Sequence, residues 1–137
     1  MSERLSILFV CIHNAGRSQM AAGFARHLGG ERVAVFSGGS EPAAKINPRA
    51  LAVMAELGID IAREIPRLIS DEVIQAADAV ITMGCGDACP IYPGKRYIDW
   101  ELDDPADADL AGVRRIRDDI RARVEQLLVE LAALATS

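Results

Sequence analysis

Leu5-Ser6-Ile7-Leu8-Phe9-Val10-Cys11-Ile12-His13-Asn14-Ala15-Gly16-Arg17-Ser18 is the stretch on which the fold turns. Its first six residues make an apolar run of strand length, the pattern of a strand buried on both faces. From Ser18 to about Gly29, Met20, Phe24 and Leu28 recur every four positions, which predicts a helix closed by Gly29-Gly30. Between strand and helix lies a loop in which five residues separate Cys11 from Arg17. Such a loop can wrap a tetrahedral oxyanion: its backbone N–H groups point inward, the helix adds its positive end, and Arg17 offers a bidentate fork. The same positive field favours the thiolate form of Cys11. One short segment thus supplies a nucleophile and a cradle for its anionic target.

Outward from this loop, strand and helix patterns alternate. Arg32–Ser37 reads as a second strand and Gly38–Pro42 as a loop. Asn47 caps a helix that has Pro48 at its first position, Leu51, Met54, Ala55 and Leu57 as its apolar face, and Gly58 at its end. Arg63–Leu68 is irregular, and Ser70-Asp71-Glu72-Val73 opens a short helix to about Ala77. Ala79–Met83 is a third strand, Gly84–Asp109 is loop-rich, and a long helix runs from about Leu110 to Leu134. Val113, Ile116, Ile120, Val124, Leu127, Leu131 and Leu134 form its apolar stripe. The basic residues Arg114, Arg115, Arg117, Arg121 and Arg123, set among acidic ones, read as a solvated face. Strands separated by helices imply a parallel sheet covered on both faces, with ligands beyond the strands' carboxyl ends. Cys11 and the Cys85 loop fall at that same edge.

A chain of 137 residues, half of them hydrophobic, is expected to form one domain (1–137) with its own core. The net charge of −5 argues against a nucleic-acid partner. No apolar run approaches the roughly 18–20 residues that span a bilayer, and the first residues lack a signal-peptide layout. The expectation is therefore a cytoplasmic monomer without a membrane partner. Three cysteines, Cys11, Cys85 and Cys89, point in that setting to redox chemistry, metal binding or burial rather than a disulfide framework.

The longer string Cys11-x2-Asn14-x2-Arg17-Ser18-x-Met20-Ala21 resembles the phosphate loop of the low-molecular-weight protein tyrosine phosphatases, and more closely that of the arsenate reductases sharing their fold. The resemblance implies a three-layer α/β fold around a central parallel four-stranded sheet. It implies that Cys11 is the nucleophile, that the loop from Ile12 through His13, Asn14, Ala15, Gly16, Arg17 and Ser18 holds the oxyanion, that Arg17 clamps it, and that Ser18 donates to the thiolate. Asn14 would brace the loop from a left-handed backbone, and Gly16 would allow close approach. Asp104, next to Pro105, matches the general acid, with Asp103 the lesser candidate; by itself Asp-Asp-Pro is a turn before the last helix. Trp100 and Tyr97 would pack the loop presenting it.

Cys85 and Cys89 divide the family. A phosphatase needs one cysteine, whereas arsenate reduction draws two electrons from thiols. The resemblance gives Cys85 the second role, expelling arsenite by attack on the Cys11 sulfur, and Cys89 a third that passes the disulfide outward. The reductant would be external: thioredoxin, or alternatively mycothiol, glutathione or a glutaredoxin system. The chain departs from the family pattern in the short Cys85–Cys89 spacing, in His13 and Ala15, and in Ala22 where some relatives carry a potassium-binding glutamate. No tightly bound metal or cofactor is expected. Ala106-Asp107 replaces the paired tyrosines that would wall a phosphotyrosine ring. The expected function is arsenate reduction. A tyrosine phosphatase using Cys11, Arg17 and Asp104 is the alternative, and a metal or metalloid binder using Cys11, Cys85, Cys89 and His13 fits poorly because Cys-x3-Cys is a poor zinc knuckle. His13 reads as a rim residue, and His27 as a surface residue near a helix end.

Overall fold

Every described strand runs the same way. The computed structural model describes residues 5–83, 96–103, 105 and 108–135. Strands β1 (Leu5–Cys11), β2 (Val33–Gly39), β3 (Ala79–Thr82) and β4 (Arg96–Asp99) form one parallel sheet in the order β2-β1-β3-β4. Helices α1 (Arg17–Gly29), α2 (Pro48–Ala55), α3 (Asp71–Ala76) and α4 (Leu110–Ala135) connect and cover it. The order reverses beside β1, so the β1 carboxyl end lies at the switch point where open α/β sheets bind ligands. Its register sets Cys11 opposite Gly39.

Period-two alternation assigns the layers. Ile7, Phe9 and Cys11 face the main core, made with α1, α2 and α4, while Leu8 and Val10 pack on Ile74, Ala77 and Val80 around α3. Phe9 meets Trp100 with ring centroids 6.0 Å apart, a contact that makes Trp100 a core residue. Truncation of Phe9 to Ala would cost about 3–5 kcal/mol. Helix α1 ends where Gly30 takes φ 56°, a backbone few side chains accept. Helix α2 starts as expected, with Asn47 Oδ1 accepting from the Arg49 N–H at 2.9 Å.

Several expectations are corrected. β2 runs through Gly38 and Gly39, which read as loop; the flat approach of Ile69 and Ile12 needs residues without side chains there. β4 lies within the stretch read as loop-rich, because a half-exposed edge strand of four residues carries little apolar signal. The buried stripe of α2 is Ala50, Val53 and Met54, with Ala55 exposed. In α4 the stripe from Val113 to Leu131 is buried as expected. Arg117, however, is not solvated: only 8% exposed, it donates to Val53 O at 2.9 Å and Glu56 Oε1 at 2.7 Å. Hydrogen bonding from Arg114, joined by Arg117, holds the Glu56 carboxyl below the usual carboxylate range. The bonds to Asp118 and Glu56 outweigh the burial that disfavours charge on Arg117 and raise its affinity for the proton. No described helix is long and apolar enough to cross a membrane.

Candidate active site

The β1 strand delivers Cys11 at its last position, and α1 begins at Arg17. Both side chains are buried, and both border one open cavity of about 320 Å³ at the sheet's carboxyl edge. His13, Lys45 and Arg49 also line it, and no carboxylate does among the described residues. The first turn of α1 carries no acidic residue to neutralise its positive end.

The loop's carbonyls are all engaged on its outer side. Ile12 O accepts from the Glu41 N–H at 2.8 Å, His13 O from Ala43 at 2.9 Å, and Ala15 O from Asn47 at 2.8 Å. Asn14 O accepts from Gln19 Nε2 at 3.1 Å. In a planar trans peptide the next N–H points opposite to its carbonyl. The amides of His13, Asn14, Ala15 and Gly16 are therefore turned away from these partners, the arrangement a tetrahedral anion requires.

Proton placement follows from one unambiguous donor. The Arg67 backbone N–H lies 2.8 Å from Asn14 Oδ1, which fixes the Asn14 amide. Its Nδ2 then donates to Ser18 Oγ at 2.7 Å. The Ser18 hydroxyl keeps its own proton free to donate to the Cys11 sulfur, 2.9 Å away. Asn14 itself sits at φ 50°, the one non-glycine positive φ among the described residues. His13, exposed on the rim, has Nδ1 at 3.0 Å from Glu41 O; since a carbonyl only accepts, Nδ1 carries the proton.

The structure thus brings together Cys11, Ile12, His13, Asn14, Ala15, Gly16, Arg17 and Ser18. Cys85, Cys89 and Asp104 lie outside the described residues. Asp103 is exposed, and Pro105 seats on the loop so closely that a Cβ at Gly16 would be 2.8 Å from Pro105 Cγ. The close approach expected at Gly16 is therefore to a proline ring. Four features escaped the sequence reading: the 41–47 segment that holds the carbonyls, the Arg67 N–H, Gln19, and the cationic rim of Lys45 and Arg49. Only Gly38-Gly39 signalled that another segment must pass close to the loop. No group of three or more His, Cys, Asp or Glu side chains suited to a metal occurs among the described residues.

Comparison with known proteins agrees along the chain. It is 39% identical to an arsenate reductase of Staphylococcus epidermidis, over 90% of this chain and 95% of that protein. A solved thioredoxin-dependent arsenate reductase of Corynebacterium glutamicum is 42% identical with a TM-score of 0.82, over 95% of this chain. This chain spans 62% of that longer one. An arsenate reductase solved in its phosphate-binding state is 36% identical with a TM-score of 0.83, covering 92% of this chain and 98% of its own. Residues 6–136 match the low molecular weight phosphotyrosine protein phosphatase family, and the chain belongs to it.

Proposed function

We propose that this chain is an arsenate reductase that runs a thiol–disulfide relay from Cys11 through Cys85 to Cys89. The observation that carries the reading is the 2.9 Å contact between the Cys11 sulfur and the Ser18 hydroxyl inside a loop shaped for an oxyanion. The arsenate reductases that match nine-tenths of the chain indicate which oxyanion. Arsenate rests on the inward amides with Arg17 as its clamp. The Cys11 thiolate attacks arsenic, an S–As bond forms, and a hydroxyl leaves as water with a proton from Asp104. The Cys85 thiolate then attacks the Cys11 sulfur. An S–S bond forms, the S–As bond breaks, and its electron pair stays on arsenic, which leaves as arsenite. Cys89 attacks the Cys85 sulfur and frees Cys11. The dithiol of thioredoxin reduces the resulting Cys85–Cys89 disulfide; mycothiol, glutathione or glutaredoxin systems are the alternative donors. Because the cysteines must be reduced between turnovers, the cytoplasm is the fitting compartment.

The family's description favours a second reading, phosphate-ester hydrolysis with Cys11, Arg17 and Asp104. One assay pair separates the two. Arsenate-dependent NADPH oxidation with thioredoxin and its reductase is expected in the wild type and should collapse in Cys85→Ser and Cys89→Ser. If the wild type is silent there and in the mycothiol- and glutathione-coupled assays, and hydrolyses p-nitrophenyl phosphate, the phosphatase reading replaces the reductase one.

A further inference from the structure

We infer that Gln19 is a positioning residue for the oxyanion loop, holding Asn14 in its left-handed conformation through the side-chain amide; this rests on the oxyanion reading above. Gln19 is fully buried in the first turn of α1. Its Nε2 lies 3.1 Å from Asn14 O and 3.1 Å from Asn14 Oδ1. Both Asn14 atoms are acceptors, the side-chain one fixed by the Arg67 N–H. Gln19 must therefore present its NH2 to them, and the amide has no alternative orientation.

That orientation has a cost. Gln19 Oε1 is left buried without a hydrogen-bond partner among the described residues, a situation native interiors avoid. An apolar side chain of the same size would fill this space without the penalty, so packing alone does not account for glutamine here. The NH2 group answers a demand that the loop creates. Asn14 O is the one cradle carbonyl that the 41–47 segment does not reach. Unpaired, that peptide could rotate and carry the Ala15 N–H out of the cradle, and Asn14 could relax from φ 50°. The unpaired Oε1 is the strain that accompanies a preorganised anion site.

The test compares wild type with Gln19→Leu, and with Gln19→Met, whose unbranched side chain follows the shape of glutamine, in case leucine fails to fold. Inorganic phosphate binding is measured by calorimetry well below each protein's melting midpoint, so that every sample is fully folded. KM and kcat for arsenate are measured alongside. The expected result is a phosphate Kd at least tenfold weaker in the variants, with a melting midpoint equal to or above that of wild type and KM raised more than kcat is lowered. Variants that bind phosphate as wild type does, whatever their melting midpoint, would show that Gln19 only packs. A wild type that binds no phosphate would remove the oxyanion cradle itself, and this inference with it.

Discussion

Gly16 and Pro105 touch so closely that no side chain fits between them: a Cβ on Gly16 would lie 2.8 Å from Pro105 Cγ. The residue that precedes α1 is in this way the seat for the residue after Asp104. Gly16→Ala must push the proline ring aside. Overpacking of this kind costs about 1–3 kcal/mol. Asp104, the proposed general acid, precedes Pro105 in the chain, so kcat for arsenate should fall at least tenfold while phosphate affinity changes little. Equal losses in both would show that the proline does not position the acid.

Gly39 faces a harder obstacle, because its Cβ would meet Ile12 O at 2.6 Å and Asn14 N at 3.0 Å, both backbone atoms that cannot swing away. Gly39→Ala should destabilise the fold by about 3 kcal/mol, the upper end of overpacking. It should also abolish phosphate binding at temperatures where the protein remains folded. Thermal melts with calorimetric titration check both halves of this expectation.

Ser18→Ala removes the hydroxyl that lies 2.9 Å from the Cys11 sulfur and, on the proposed mechanism, donates to its thiolate. Hydrogen bonds to charged groups contribute about 1.5–3 kcal/mol, which corresponds to roughly ten- to a hundredfold in rate. Alkylation of Cys11 by iodoacetamide at neutral pH, followed by peptide mass mapping, should slow by that factor. An unchanged rate would mean that the thiolate does not depend on this hydroxyl.

Acid sensitivity should trace in part to Glu56. Its carboxyl is held below the usual range, chiefly by hydrogen bonding from Arg114. A lowered folded-state pKa adds stability that is complete above the ordinary carboxylate pKa and is lost as pH falls through the folded-state value. Glu56→Gln should therefore lower the melting midpoint at neutral pH and flatten its decline below about pH 4, near the unperturbed glutamate pKa. Parallel melting curves for mutant and wild type across that interval would contradict the assignment.

Much of this was legible in the chain. The apolar run before Cys11 is buried from Ile7 onward, and Asn47-Pro48 begins a helix where the residues say it should. Those signals are local, set by side-chain period and capping chemistry. The unread features depend on distant partners. The Arg67 N–H reaches Asn14 across 53 positions, and every residue but proline has such a donor, so no side chain advertises it. Arg117 looked like any charge on a helix surface, and only the Val53 carbonyl and Glu56 beside it explain its burial. β4 was hidden because an edge strand shares its apolar character with a loop.

The carbonyls of Ile12, His13, Asn14 and Ala15 all have partners within the chain, so bonds inside the protein, and not an anion, shape the cradle. A receptor fixed in this way measures tetrahedral outline and charge, which phosphate and arsenate share. Phosphate then competes for the same seat, and discrimination passes from recognition to reactivity. Arsenic(V) accepts the electron pair of the breaking S–As bond, whereas phosphorus(V) does not leave its oxidation state under thiol conditions. Selectivity belongs to the step after binding, and abundant phosphate slows such an enzyme without ever being reduced by it.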